Sequence, residues 1–367
     1  MTHSPRHLAL ALTATLSLLA SACGSSGQAG APARSSSGNA TQPAQGGDSQ
    51  ALYQAAKKEG TLVVNTHDPE NERVGAAAFS KRYPGVKIEW QIGRGADVAQ
   101  KIITQAEGNV YNMDVMETGP HDMGLVQEAG LLQPYQSPEL NSVRQEFLDP
   151  LKVSNPVWVL VYGITANTKL VPAGSEPKSW TDLLAARWKG KIAMQDPRGS
   201  GGSTTLMLGI SKQPGLGEDY VRKLGRQDLF ISRATEQLLT DLIRGEHDVL
   251  LAASAASLVL QKTKDPGVPI KQIKPTEGVA TTLLSMAVVK NAPHPNAARL
   301  WIDWRLSQEG QEAIAEQGNA PVRQGLKVPH EETSLEGTKI LYVDTGQDLA
   351  NIKEFSKTWD DIFFRKS

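Results

Sequence analysis

The stretch from Gln195 to Thr205 holds the residues best suited to bind an anion. It reads Gln-Asp-Pro-Arg-Gly-Ser-Gly-Gly-Ser-Thr-Thr, and it lies between a short apolar run and a helical one. A turn from strand to helix presents unpaired backbone N–H groups, which attract negative charge. Glycine lets the backbone approach a ligand closely, and hydroxyl groups add donors. The candidate ligand-binding residues are therefore Ser200, Gly201, Gly202 and Ser203. Because neither GxxxxGK[ST] nor GxGxxG spacing is present, an ordinary turn is the alternative interpretation.

Further candidates follow apolar runs elsewhere in the chain. They are Thr66 and His67, Arg94 and Gly95, Thr118 and Gly119, and Ser254. Arg94 offers the most chemistry, because its planar guanidinium can hold a carboxylate or phosphate through two hydrogen bonds. A solvated loop arginine and surface histidines are the alternatives at these positions.

The runs before these loops have the patterns of strands separated by helices. Thr61–Asn65 is a short apolar run, residues 86–92 alternate between apolar and polar, and Met113–Met116 is a third short run. Such alternation predicts a mostly parallel sheet, whose ligands bind beyond the carboxyl ends of the strands. Helices are expected over 51–59, 179–186, 217–224, 235–244 and 296–306, with further C-terminal helices within about 316–367.

Two long apolar stretches predict how this α/β chain is divided. Val157–Ile164 and Thr281–Val289 flank a second series of strands and helices. Long strands that cross between two lobes would make a hinged molecule. The expected lobes are residues 49–160 with about 288–315, and residues 161–287 with about 316–367.

The N-terminus has the pattern of an export signal. Residues 1–22 contain a weakly basic start, an apolar run and three small residues, and Cys23, the only cysteine, follows them. The run is shorter than the ~20 residues that span a bilayer. This pattern resembles the lipobox of bacterial lipoproteins, which implies lipidation at Cys23. Cleavage by an ordinary signal peptidase is the alternative. Residues 23–48 lack large apolar side chains and are expected to form a disordered tether.

The bulk composition excludes some partners. Lys and Arg number 38 against 39 Asp and Glu, which gives a net charge of −1. Neither nucleic acid nor a strongly acidic surface is therefore expected as a partner. The 367 residues are enough for two domains.

Several segments together resemble a known family. They are Leu52–Gly60, Ala78–Gly85, Glu128–Leu132, Gly163–Leu170, Asn291–Ala298 and Asn319–Arg323. Their order is similar to that in extracellular solute-binding proteins of ABC importers, within the branch that binds ferric iron, thiamine, polyamines or phosphonates. The resemblance implies a two-lobed type II periplasmic-binding fold, with mixed sheets and two crossing hinge strands.

The resemblance also implies function and partners. A lipid-anchored monomer in the cell envelope would deliver a small solute to a membrane permease, without a cofactor and without catalysis. Both lobes must contact the solute, because a ligand favours closure only through contacts that it makes better in the closed state.

Iron is the main alternative ligand. Ferric binders of the family resembled use adjacent tyrosines after a Gly-Glu turn, but residues 245–257 contain none. His67, Asp68 and Glu117 would have to hold iron instead. An anionic or zwitterionic organic solute is therefore preferred. A surface hydrolase or sensor is the remaining alternative, although no GxSxG or HExxH motif is present.

Overall fold

The computed structural model of the protein describes residues 49–66, 69, 72–199, 201–346 and 349–365. Residues 1–48, with the predicted signal peptide, Cys23 and the tether, lie outside the described residues. His67, Asp68 and Ser200 lie outside them as well. No helix in the described part of the chain is both long and apolar enough to cross a membrane.

Most predicted apolar runs form strands. The strands are β1 (Thr61–Thr66), β2 (Lys87–Ile92), β3 (Val115–Thr118), β4 (Leu132–Gln133), β5 (Asn155–Asn167), β6 (Ile192–Gln195), β7 (Phe230–Ser232), β8 (Val249–Ser254), β9 (Ile270–Ile273), β10 (Val279–Val289), β11 (Ala320–Pro321) and β12 (Ile340–Asp344).

Helices connect these strands in the alternating order that the sequence predicted. They are α1 (Ser49–Glu59), α2 (Arg73–Arg82), α3 (Gly95–Glu107), α4 (Pro120–Glu128), α5 (Gly202–Lys212), α6 (Gly217–Gly225), α7 (Thr235–Arg244), α8 (Ala255–Lys264), α9 (Pro295–Leu306), α10 (Gln308–Glu316) and α11 (Leu349–Phe363).

One mixed sheet joins the strands in the order β2-β1-β3-β10-β5-β8-β6-β7. Strands β4 and β12 pair with β10, and strands β9 and β11 pair with β5. The outer strands are parallel, whereas β5 and β10 run antiparallel from Ala280↔Tyr162 to Met286↔Asn155. The predicted mixed α/β fold, with two long central strands, is confirmed.

The two central strands pass from one hydrophobic core to another. Val157 and Val161 of β5 belong to a core built around Phe79, Trp301 and Trp304. Farther along the same strand, Ile164 belongs to a second core, around Trp180, Tyr220 and Trp359. We call these the first and second cores. Residues between them on β5 and β10 lie next to side chains of both cores.

One predicted helix was wrong. Over residues 179–186 the chain forms short 3₁₀ turns at Thr181–Leu184 and Ala186–Trp188. The Asp182 carboxylate accepts hydrogen bonds from the backbone N–H groups of Lys178 at 2.7 Å and Ser179 at 3.0 Å. Such local bonds from a side chain to the backbone compete with a regular helix.

The C-terminal region is only partly helical. Strand β12 lies within the residues predicted to be helices and runs parallel to β10, with Tyr342 opposite Ala280 and Asp344 opposite Thr282. Its aromatic and β-branched residues suit a strand, and β10 supplies the partners for its backbone. Helix α11 then packs against the second core through Phe355, Trp359 and Ile362.

Candidate functional site

The predicted residues on the side of the first core come together at three strand ends. The carbonyl of Thr66 accepts a hydrogen bond of 2.9 Å from Gly93 N–H, which places the end of β1 beside Arg94. A Cβ atom on Gly95 would lie 2.1 Å from Thr118 Oγ1 and 2.2 Å from Asp122 Oδ2. Glycine at position 95 therefore lets α3 begin against the end of β3 without displacing the Thr118 and Asp122 side chains.

Arg94 immediately precedes α3, and its side chain is exposed. Its guanidinium makes no hydrogen bond or ion pair with the described residues. A positive charge is thus available beside Thr118 and Gly119, the residue that precedes α4. An acid group there would meet a planar donor and the positive end of a helix.

The glycine-rich loop precedes α5 on the side of the second core. Gly201 has φ +126°, which a residue with a side chain rarely adopts. Thr204 Oγ1 donates to the carbonyls of Pro197 at 2.9 Å and Gly199 at 3.0 Å. The Ser203 hydroxyl is buried and has no hydrogen-bond partner among the described residues. Since buried polar atoms are nearly always satisfied, this hydroxyl is a candidate donor or acceptor for a bound molecule.

Gly202 and Ser254 lie close to the same side chain, Tyr162 of β5. A Cβ atom on Gly202 would lie 2.6 Å from both Tyr162 Cε1 and the carbonyl oxygen of Ala252. Ser254 pairs with Tyr162 across the strands, and its side chain caps α8 by accepting a bond from Ser257 N–H. The predicted residues of the second group are therefore also neighbours.

The central strands expose four half-buried residues between the two groups: Trp158 and Leu160 of β5, and Thr282 and Leu284 of β10. Trp158 is opposite Leu284, and Leu160 is opposite Thr282, so all four share one face of the sheet. We call them the floor. Trp158 and Leu284 pack against the first core and Leu160 against the second, so the floor spans both.

Both groups of loops reach the floor. Thr205 Oγ1, one turn into α5, lies 3.1 Å from Thr282 Oγ1. A Cβ atom on Gly119 would lie 4.0 Å from Leu284 Cδ1. The N-termini of α4 and α5 therefore approach one partly apolar surface from different cores: α5 from the second core, and α4 from a smaller core that Met123 and Val126 form with Val98 of α3.

The Glu117 carboxylate lies next to Trp158 of the floor. It accepts a 2.8 Å hydrogen bond from Trp158 Nε1 and a 3.2 Å bond from Arg305 Nη2. Arg305 is fully buried and also donates to Glu72 at 3.3 Å. Burial acts to lower the pKa of Arg305, but Glu117 and Glu72 outweigh burial and raise that pKa. Glu117 is thus committed to a buried ion pair that holds Trp158 in the floor.

Arg198 lies in the glycine-rich loop, and its side chain is turned toward α11. It donates to Asp196 at 2.9 and 2.8 Å and to Asp360 Oδ1 at 2.6 Å, and its guanidinium lies 3.4 Å from the centre of the Phe364 ring. These hydrogen bonds from Arg198 lower the pKa of Asp196 to about 2. Arg198 anchors the loop to the C-terminal helix.

The described residues contain no group of three or more His, Cys, Asp or Glu side chains arranged to hold a metal ion. Of the three residues considered for iron, Glu117 is the one described, and it is engaged by Arg305 and Trp158. His67 and Asp68 lie outside the described residues.

Two surface hollows lie apart from the floor. One, of about 150 Å³, is lined by Lys262, Lys271, Gln272, Lys274, Glu331 and Glu332. In it Lys262 pairs with Glu332, and Lys274 donates to the carbonyls of Glu331 and Ser334. The other, of about 390 Å³, lies between α2 and β2 and is lined partly by Ile88 and Trp90. Neither brings together residues from both cores around polar donors, so the floor remains the better candidate site.

The floor residues were not predicted as site residues. Both central strands were recognised as apolar runs, but a run that is apolar throughout does not show which side chains face an opening. Trp158 and Thr282 gave only a weak signal, because Tyr162, Thr281 and Ser285 also interrupt the aliphatic residues of these segments.

Comparison with known proteins identifies the family. Residues 116–346 match the family model described as bacterial extracellular solute-binding protein. A Salmonella typhimurium relative named "Putative 2-aminoethylphosphonate-binding periplasmic protein" is 24% identical over 311 residues, which cover 82% of this chain and 86% of the relative.

Solved structures support the same fold. AfuA from Actinobacillus pleuropneumoniae, with exogenous fructose-6-phosphate bound, matches with a TM-score of 0.61 and 24% identity, over 83% of this chain and 98% of that one. Iron-bound HitA from Pseudomonas aeruginosa matches with a TM-score of 0.62 and 22% identity, over 82% and 99%. The family model covers more than half of the chain, and the fold agrees with it. The protein therefore belongs to the bacterial extracellular solute-binding proteins, the substrate-binding components of ABC importers.

Proposed function

We propose that this protein captures a small anionic or zwitterionic organic solute on the floor and delivers it to a membrane permease. The observation that carries the proposal is the approach of the α4 and α5 N-termini, from different cores, to one partly apolar surface. Helix N-termini and the Arg94 guanidinium suit an acid group. Trp158, Leu160 and Leu284 suit the carbon skeleton of an organic molecule.

Closure would bring the two groups of donors onto the solute. We take the lobes to be residues 49–160 with about 288–315, and residues 161–287 with the C-terminal segment. Val322 and Leu335 pack in the first core, so that segment starts after Leu335 rather than near residue 316. β5 and β10 would form the hinge. The solute then stabilises the closed form because it contacts both lobes only there.

Arg94→Ala is expected to weaken binding of an acid-bearing solute at least about tenfold, because it removes a charge-assisted hydrogen bond. Arg94→Lys should recover only part of the loss, since an ammonium lacks the planar fork. Calorimetry with 2-aminoethylphosphonate, fructose-6-phosphate and β-alanine measures the effect. The control is Arg226→Ala, at an exposed arginine that follows α6.

The proposal predicts that an acid-bearing probe binds the wild type and that the Arg226 control matches it. Unchanged affinity in Arg94→Ala would contradict the role of Arg94.

Ferric iron is the second candidate, favoured by the iron-bound structural neighbour. Titration with ferric citrate should produce no visible charge-transfer band, and a strong band would reverse the ranking. A bound solute should also be recovered chemically unchanged, whereas turnover would indicate an enzyme.

We further propose that Cys23 is lipidated and holds the protein at the outer face of the membrane. Two or more acyl chains would anchor it firmly, since each buried CH₂ contributes about 0.8 kcal/mol. In cell fractionation, Cys23→Ser should move the protein from the membrane to the soluble fraction. Retention of Cys23→Ser in a salt-washed membrane fraction would contradict the anchor.

A further inference from the structure

Strand β12 brings a carboxylate to the edge of the floor. β12 runs parallel to β10 and ends with Asp344 opposite Thr282. β3 runs antiparallel to β10 and ends with Thr118 opposite Ser285. The carboxyl ends of β12 and β3 therefore face each other along β10. On β10, only Leu283 and Leu284 lie between Thr282, the partner of Asp344, and Ser285, the partner of Thr118.

Direct contacts fix the position of Asp344. Its Oδ2 accepts a 3.2 Å hydrogen bond from Thr205 Oγ1, and its Oδ1 accepts a 3.0 Å bond from Gly346 N–H. Thr205 is itself 3.1 Å from Thr282 of the floor. The Asp344 carboxylate thus contacts Thr205 in the first turn of α5, and Thr205 in turn contacts Thr282 of the floor.

The same segment also reaches the start of α4. A Cβ atom on Gly346 would lie 2.9 Å from the carbonyl oxygen of Pro120, the first residue of that helix. The turn at Asp344–Gly346 therefore lies between α5, on the side of the second core, and α4, on the side of the first. A solute held by both helices would have this carboxylate as a neighbour.

The charge of Asp344 acts within the site. Burial raises the pKa of Tyr162 to about 12, a hydrogen bond with Thr282 opposes that rise, and the nearby Asp344 charge adds to it. Tyr162 also contacts Gly202 at the start of α5. Since Asp344 is only half-buried, its negative charge would repel a second acid group and attract a cation.

We propose that Asp344 receives the cationic group of the solute and so selects zwitterions over simple anions. This inference rests on the proposed function. The acid group would face Arg94 and the helix N-termini, while an ammonium group would face Asp344, and the carbon skeleton would lie on the floor. The competing explanation is that Asp344 only closes a turn, through Gly346, and braces Thr205.

Matched pairs of solutes separate these explanations. 2-Aminoethylphosphonate and ethylphosphonate differ by one amino group, and so do β-alanine and propanoate. The wild type should bind at least one amino compound about tenfold or more tightly than its partner, as expected for a hydrogen bond between charged groups. In Asp344→Asn that preference should fall to about threefold or less, while the compounds without the amino group keep or gain affinity.

The control is Glu354→Gln, at an exposed position of α11, which should keep the wild-type preference. Asp344→Glu, which retains the charge at a shifted position, provides a second variant if Asp344→Asn folds poorly. The ratio of the two affinities within a pair does not change when a variant is merely less stable. An unchanged ratio in Asp344→Asn, or a wild type that binds both members of each pair equally, would overturn the role of Asp344 alone. A wild type that binds fructose-6-phosphate but no member of either pair would overturn the role of Asp344 alone, and a wild type that binds none of these probes would also contradict the proposed acid-binding function.

Discussion

Gly202→Ala is expected to lower solute affinity about a hundredfold, because a displacement of about 1 Å at a binding group can cost that much. The new Cβ atom would lie 2.6 Å from the Ala252 carbonyl oxygen and from the Tyr162 ring. Ala252 itself has φ +61°, and its strand is paired on both sides, so this backbone cannot retreat easily. The start of α5 must therefore shift away from the floor. Calorimetry with the tightest-binding probe measures the loss.

Gly124→Ala is the matched control for this substitution. Gly124 lies within α4, and a Cβ atom there would have no neighbour within 4 Å. Alanine should keep the affinity and add up to about 1 kcal/mol of stability, since it favours helices over glycine. Wild-type affinity in Gly202→Ala would contradict the placement of α5 at the binding site.

Arg305→Met is expected to reduce the free energy of unfolding by about 3–5 kcal/mol, the usual cost of leaving a buried charge without its partner. Arg305 is fully buried, and Glu72 and Glu117 would both lose their cation. The substitution should also loosen Trp158, which donates to Glu117, and so weaken solute binding. Urea denaturation measures the change in stability.

An exposed ion pair provides the comparison. Arg222 pairs with Glu218 on the surface of α6, and both side chains are about half exposed. Arg222→Met should cost less than about 1 kcal/mol. If Arg305→Met were equally mild, the Arg305 pair would not stabilise the fold as described. Adding Glu72→Gln and Glu117→Gln to Arg305→Met should restore part of the stability, because the uncompensated charges are then removed.

Much of this site follows from local sequence patterns. Each loop that was selected comes after a short apolar run, and parallel strands place such loops at one edge of a sheet. The structure brings Thr66, Arg94 and Thr118 together in this way, and it places Gly202 and Ser254 near Tyr162. Their contact with a solute stays a prediction.

The remaining parts depend on long-range pairing, which local patterns do not reveal. Asp344 reaches the floor only because β12 pairs with β10, about 60 residues earlier in the chain. Arg198 looked like part of an anion-binding loop, but Asp360 of α11 and Phe364, which follows that helix, hold its side chain. Arg305 had no sequence signal of its own, since its partners are Glu72, which precedes α2, and Glu117 of β3.

Native mass spectrometry of the protein purified gently from its host tests the central claim most directly. Closed binding proteins hold their solute between lobes, so the wild type should carry one non-covalent organic acid per chain. Gly202→Ala, purified in parallel, should have lost it, whereas Gly124→Ala should retain it. An adduct with the mass of iron, or an organic adduct retained equally by Gly202→Ala, would contradict capture of an organic acid at the floor.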